Sequence, residues 1–326
     1  MKIGVSFDGF SPFGDALAFA KEAAGAGVAS IWMADHLGFR EPIVSCLSFL
    51  LNTASVKVVP TAVSPYLRHP MPTAMQMATL AEAAPGRVAI ALGVGNPLFL
   101  GESGEAMEKP IAVITEFTQA LRALWSGQPV HMTAKRFRLN GARMMFTPSA
   151  PIPILLAPIR EQMLKLSGKV GDGVVLSAGL TVPYVEQSLR LVREGAAAAK
   201  RDYESLDTAG YISFLAHASR REAFDKVKRQ LSFILRNRFL DRNIAESGIA
   251  IDQEAIIAAM ARRDLDGAQA LIPDEAVDRF AVAGTPAECI EKLKTYSAAG
   301  LKELVLLMAG TLEDHQYGLK VIRELH

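Results

Sequence analysis

The sequence predicts an α/β fold, a (β/α)8 TIM barrel with insertions after the fourth helix and between the seventh and eighth units. Three observations carry this. Short apolar strands alternate with amphipathic helices eight times along 326 residues. The strand candidates are continuous apolar runs, as parallel strands covered on both faces require. The helical segments carry one apolar stripe at helical period. Val185, Leu189, Val192, Ala196 and Ala199 fall at spacings of 4, 3, 4 and 3, and Phe224, Val227, Leu231 and Ile234 at 3, 4 and 3. A doubly wound open sheet is the alternative; eight strands of similar length favour closure.

The units follow in order. "KIGVSF" precedes a helix from Phe13 to Ala26, and "ASIWMA" one from Pro42 to Thr53. "VKVVPTAV" precedes a helix from Pro72 to Ala84, and "RVAIALGVG" leads through a loop to a helix ending at Trp125. "IPILLA", "GVVLSA" and "DTAGYISFLAH" precede helices ending at Val170, Lys200 and Arg236, and "LKELVLLMA" precedes a terminal helix. Residues 127 to 150 hold Asn140-Gly141 between two short runs, which predicts a hairpin turning there. Residues 238 to 284 add further helical pattern, including "IDQEAIIAAMARRD". No repeat, low-complexity tract or Pro/Gly/Ser linker divides the chain, so residues 1 to 326 read as one barrel domain.

Composition excludes several classes. Half the residues are apolar, a fifth are charged, and net charge is +1. This is an ordinary globular balance with no electrostatic footprint for nucleic acid or an anionic membrane. No apolar run approaches the roughly 18 residues of a membrane span. The opening "MKIGVSFDGF" reads as a strand rather than a signal peptide. Cys46 and Cys289 make neither a disulfide framework nor a metal motif, read as small buried hydrophobes, and fit a reducing cytoplasm.

Chemistry in such a barrel sits at the C-terminal ends of the strands. Ser6 and Asp8 share parity on the first strand, and Asp35 and His36 end the second. Ser64, Arg68 and His69 follow the third strand, Gly93, Gly95 and Asn96 the fourth, and Ala157, Pro158, Ile159 and Arg160 the fifth. Ser177 and Ala178 end the sixth. Each has a plainer reading. An Asp at a strand-to-helix junction commonly forms a turn or cap. Gly93-x-Gly95 lacks the third glycine of a dinucleotide fingerprint. Arg68 and His69 precede Pro70 and shape a loop. G-x-S-x-G, Walker A and H-E-x-x-H are missing, and six scattered histidines give no metal spacing.

Four stretches nonetheless resemble the bacterial luciferase-like superfamily of flavin and deazaflavin barrels. They are "IWMADHLG", "VVPTAVSPYLRHPMPTAMQMATLAEAAPGRVAIALGVG", "IPILLAPIREQMLKLSGKVGDGVVLSAG" and "FAVAGTPAECIEKLKTYSAAGLKELVL". The third contains Lys165, Gly168, Asp172 and Gly173 in a Lys-x-x-Gly-x-x-x-Asp-Gly pattern. Within the superfamily the pattern looks closest to the methylene-tetrahydromethanopterin reductase branch, which uses coenzyme F420. The resemblance implies an oxidoreductase that moves hydride between F420 and a small organic substrate. An FMN-dependent monooxygenase or reductase on the same barrel is the alternative, and a barrel that has lost its cofactor site a third reading.

The resemblance also assigns roles. His36 would be a proton donor or hydrogen-bond partner near the substrate, with Asp35 orienting it or touching the cofactor. An imidazole suits this because it titrates near neutrality. A non-prolyl cis peptide is implied at Ala62–Val63, forming a bulge with Val63 packed on the ring. Cofactor contacts are implied at Asp35, Ala62, Val63, Ser64, Gly93, Gly95, Asn96, the turn from Ala157 to Arg160, Ser177 and Ala178. Three departures stand out. Ser6 replaces a first-strand carboxylate, with Asp8 as its possible substitute. Asn96 replaces an acid. A glycine-rich phosphate turn reads Ala157-Pro158-Ile159-Arg160, in which Pro158 has no N–H to donate and Arg160 offers charge instead. A homodimer through helices of the early units is implied, with no nucleic-acid or membrane partner.

Overall fold

Eight parallel strands wrap around one axis in the computed structural model, which describes residues 1–325. In chain order the strands are β1 (Lys2–Phe7), β2 (Ser30–Ala34), β3 (Lys57–Thr61), β4 (Ile90–Leu92), β5 (Val130–Thr133), β6 (Arg138–Ala142), β7 (Ile154–Leu156), β8 (Gly173–Leu176), β9 (Asp207–Ala216), β10 (Ala281–Gly284) and β11 (Glu303–Met308). Barrel neighbours run β3-β2-β1-β11-β9-β8-β7-β4. Isolated bridges Val58–Val88 and Val63–Leu92 join β3 to β4. Each barrel strand leads to an outer helix. These are Phe13–Gly25, Pro42–Asn52, Pro70–Ala83, Pro110–Trp125, Glu161–Val170, Val182–Ala198, Arg220–Leu235 and Leu312–Arg323. The predicted stripes face inward: Val185, Leu189, Val192 and Ala196 are buried, while Ala199 is exposed at the helix end. No described helix is long and apolar enough to cross a membrane.

The barrel interior is filled, not hollow. Trp32, Val59, Ala91, Leu155, Val175 and Tyr211 form its packed middle. Beneath them Trp32 Nε1 donates to Ser30 Oγ at 2.7 Å and to Glu303 Oε1 at 2.9 Å. Gly4 makes this polar knot possible, because a Cβ there would lie 2.4 Å from Ser30 Oγ. With the lower end plugged, the upper end is where a ligand can enter.

The Lys-x-x-Gly-x-x-x-Asp-Gly pattern has a packing explanation. Helices Glu161–Val170 and Val182–Ala198 touch backbone to backbone. A Cβ on Gly168 would meet Val192 O at 2.0 Å, and one on Gly195 would meet Lys165 O at 1.9 Å. Asp172 then ties three elements: it accepts from Ile154 N at 2.9 Å and from Arg122 Nη2 at 2.7 Å, while its own N–H bonds Ile154 O at 2.7 Å. Gly173 lies where a Cβ would be 2.4 Å from Asp207 O.

Three details depart from the expectations. The hairpin exists as β5 and β6, but it turns at residues 134–137, where Ala134 N bonds Phe137 O at 3.0 Å. Asn140-Gly141 lies inside β6 instead; Gly141, at φ 72°, is the extra residue of a bulge opposite Val130 and His131. The cis peptide is Thr61–Ala62, one bond before the implied Ala62–Val63. Lastly, the 238–284 insertion ends in β10, an unpredicted strand that pairs parallel to the upper part of β9 from Ser213 to Ala216. Its helices Asp241–Ser247, Gln253–Ala261, Leu265–Ala270 and Asp274–Phe280 pack a second apolar core against helix Arg220–Leu235.

Candidate active site

A cavity of about 1060 Å³ opens at the C-terminal ends of the strands. That is ample for a cofactor-sized ligand. Ser6, Ala34, Thr61, Ala62, Ala157 and Ala178 form its floor, and Asp8 and His36 stand at one side. Helix Arg220–Leu235 supplies the opposite wall through Lys226, Gln230 and Phe233. The turn after β11 and the first turn of helix Leu312–Arg323 close the remaining side. Seven sequence-predicted residues therefore meet in one place: Ser6, Asp8, His36, Ala62, Ala157, Ser177 and Ala178.

His36 is held by a neighbour other than the expected one. Its Nδ1 lies 2.8 Å from the main-chain oxygen of Asp8, and its ring stacks on Phe10 at 5.2 Å. A carbonyl can only accept, so Nδ1 carries the proton and Nε2 is left free to exchange one. Asp35 turns away. Its carboxylate accepts from Arg68 Nη2 at 3.2 Å and is absent from the cavity wall. Burial pushes the Asp35 carboxyl up, and Arg68 only partly opposes this. Arg68 also reaches Glu41 Oε1 at 2.9 Å, so the residue read as a loop former is the counter-ion of the site's back wall.

The other implied cofactor contacts lie outside the cavity lining. Val63 is fully buried in the outer core and bridges to Leu92, so Ala62 takes the cavity-facing place given to it. Ser64 donates to Val94 O at 3.1 Å. Gly93 permits close approach of β4 to the bulge, since a Cβ there would be 2.7 Å from Ala62 Cβ. Gly95 sits at φ 85°. Asn96 caps the short helix Pro97–Glu102, accepting from Leu98 N at 2.9 Å. Pro158 is buried, and Ile159 O accepts from Tyr184 Oη at 3.3 Å. Arg160 is exposed, 3.6 Å from Asp241 Oδ1 and stacked over Phe239. It precedes a helix N-terminus, Glu161–Val170, that has no side-chain cap.

Sequence reasoning missed the far wall. Tyr211 Oη, Gln230 Oε1 and His315 Nε2 are buried without hydrogen-bond partners, on residues that line the cavity. Burial pushes the Tyr211 phenol up and the His315 imidazole down, so both are neutral near pH 7. Lys226 Nζ bonds Asp314 Oδ1 at 2.6 Å, and Asp314 also caps its helix with Thr311. One signal was present: Asp-His occurs a second time, at Asp314-His315. Among the described residues no cluster of His, Cys, Asp and Glu could hold a metal ion.

Comparison with known proteins agrees with the barrel. The family described as luciferase-like monooxygenase matches residues 2–303. The chain is 28% identical to a 5,10-methylenetetrahydromethanopterin reductase of Archaeoglobus fulgidus, over 94% of this chain and 92% of that one. It is 27% identical to an F420-dependent glucose-6-phosphate dehydrogenase of Gordonia bronchialis, over 79% and 74%. In structure it resembles the coenzyme F420 dependent tetrahydromethanopterin reductase of Methanopyrus kandleri, with a TM-score of 0.88 over 99% and 97% of the chains at 22% identity.

Proposed function

The chain belongs to the luciferase-like monooxygenase family, and from that premise we propose that it is an oxidoreductase moving hydride between coenzyme F420 and a small organic substrate. The observation that carries this is the near full-length likeness to a methylenetetrahydromethanopterin reductase, joined by the F420-dependent dehydrogenase. Ser6 and Asn96, which the resemblance implies stand where such reductases carry acids, support a substrate different from that reductase's.

The residues present fit such a cofactor. Four alanines, Ala34, Ala62, Ala157 and Ala178, leave width at the cavity floor. The buried, unpartnered Tyr211 Oη and Gln230 Oε1 offer a donor and an acceptor that a ring's polar edge can satisfy. We assign the ring to the floor between His36 and Ala62, and the anionic tail to Arg160 and the uncapped N-terminus of helix Glu161–Val170. A reduced deazaflavin supplies hydride from a ring carbon. The protein's part is to hold the reactants together and exclude water. His36 Nε2 takes a proton from the substrate or returns one to it, according to the direction of hydride transfer. Asp8 O keeps that nitrogen turned outward.

The family's own description favours a second reading, a monooxygenase, which we take to be FMN-dependent. Oxygen uptake separates the two. With protein and reduced F420 in air, slow uptake is expected. Uptake with reduced FMN that the protein alters relative to free reduced FMN, which itself takes up oxygen rapidly, would instead support the flavin reading. A homodimer completes the proposal. Val44, Leu51 and Met75 expose 64%, 69% and 47% of their surface on helices Pro42–Asn52 and Pro70–Ala83, and sedimentation equilibrium tests it.

A further inference from the structure

His36 owes its orientation to the turn after β1, and that turn is itself held from behind. Asp8 O lies 2.8 Å from His36 Nδ1, and the Phe10 ring stacks on the imidazole at 5.2 Å. Within the turn, Asp8 Oδ1 accepts from Phe10 N at 2.9 Å, and Gly9 stands at φ 81°. Two main-chain oxygens are left over, those of Gly9 and Phe10. Among the described residues no main-chain N–H bonds either of them. Both accept instead from one atom, Arg40 Nη1, at 3.1 and 2.9 Å. The turn lies close against this side chain's own backbone, since a Cβ on Gly9 would be 3.5 Å from Arg40 N. Arg40 follows His36 by four residues in the loop after β2, yet unlike Asp8, Phe10 and His36 it does not line the large cavity. Its guanidinium is a planar, permanently charged fork of donors, and hydrogen bonds from such a group are stronger than neutral ones. One charged nitrogen thus pins the turn that touches His36 on two sides.

We propose that Arg40 is a positioning residue for His36: by clamping Gly9 O and Phe10 O it holds Asp8 O against His36 Nδ1, which keeps the ring proton on Nδ1 and leaves Nε2 free to exchange one. Arg40 makes and breaks no bond and acts only through the turn. The proposal rests on the reading of His36 given above.

The test uses the full chain as wild type, Arg40→Met, Arg40→Ala, Arg40→Lys and His36→Ala, without cofactor. Long-range proton–nitrogen NMR at about pH 8.5, above the ordinary imidazole value, reads the tautomer of each histidine. The signal lost in His36→Ala identifies His36. In wild type its proton should sit on Nδ1. Arg40→Met keeps the bulk of the stem and removes the donors. It should lower the ratio of the Nδ1–H to the Nε2–H form about 3- to 10-fold, the span of one hydrogen bond. Arg40→Ala should do the same, so that a single variant failing to fold leaves the test intact. Arg40→Lys returns a charged donor and should recover part of the ratio. An unchanged ratio without the donors, a wild-type His36 protonated on Nε2, or a shift shared by the other histidines would overturn the proposal. Failure of the wild type to bind either F420 or FMN would overturn the functional reading instead, and the tautomer shift would still establish the clamp.

Discussion

Arg68 Nη2 stands 3.2 Å from Asp35 Oδ2, and this contact decides what each member of the Asp35-His36 pair can do. Asp35 is committed to the back wall, where Arg68 also grips Glu41 at 2.9 Å. His36 is consequently oriented by a main-chain oxygen rather than by its sequence neighbour. Arg68→Ala should destabilise the protein by about 2–4 kcal/mol, because it strands a largely buried carboxylate. Adding Asp35→Asn should recover part of that loss. Chemical denaturation of the two variants and wild type checks this; equal losses in both would show that the charge was not the cause.

His36→Ala should leave the melting temperature within a few degrees of wild type, since one hydrogen bond to Asp8 O is lost at a partly open site. Turnover, once a substrate is in hand, should fall by about 100-fold or more, the usual scale for removing a general acid or base. Restored turnover on adding imidazole would support proton exchange at this site. A variant as active as wild type would contradict the role.

The pair Lys226–Asp314 predicts a pH dependence. Burial alone would raise the Asp314 carboxyl, but Lys226 and the Thr311 cap outweigh it and hold it below the ordinary 3.8. A depressed carboxyl contributes stability that is present above 3.8 and lost as pH falls through its folded-state value. Urea unfolding from pH 5 down to pH 2.5 should therefore show a steeper loss for wild type than for Asp314→Asn. Parallel curves would remove Asp314 from the acid response.

Gly195→Ala should be among the most damaging small substitutions. Its new methyl would overlap Lys165 O, a main-chain atom that cannot swing aside. A cost of at least about 3 kcal/mol is expected from such overpacking. Gly14→Ala, where nothing lies within 4 Å, is the control and should be neutral or slightly stabilising. Comparable soluble yields and melting temperatures for the two would refute the backbone-contact account.

Much of this was legible in the chain because it depends on local period. The stripe Val185, Leu189, Val192, Ala196 marked a helix, and runs such as Gly173–Leu176 marked buried strands. The strand-end rule then brought Ser6, Asp8, His36, Ser177 and Ala178 to one cavity. What escaped was of two kinds. Ala281–Gly284 is too short and small-residued to carry a strand signal, and Gly141 serves a bulge with the same residues that a turn would use. The far wall escaped because Tyr211, Lys226 and His315 come to the same cavity as Ser6 and His36 only after some 175 to 310 residues of barrel have closed. Asp35 faces Arg68 and not the cavity for a related reason: adjacency in sequence at a strand end sends neighbouring side chains to opposite sides.

Arg160→Ala should weaken binding of the preferred cofactor by about 3- to 10-fold, as expected for one exposed charge-assisted contact. The wild-type affinity should fall with added salt more steeply than the variant's. Identical salt slopes would move the anionic tail elsewhere.

The most direct test of the central claim is calorimetric titration of oxidised F420 and of FMN into the purified protein. The account predicts saturable, one-site binding of F420 and at least tenfold weaker binding of FMN. A clear preference for FMN would contradict it and turn the site over to flavin and oxygen chemistry.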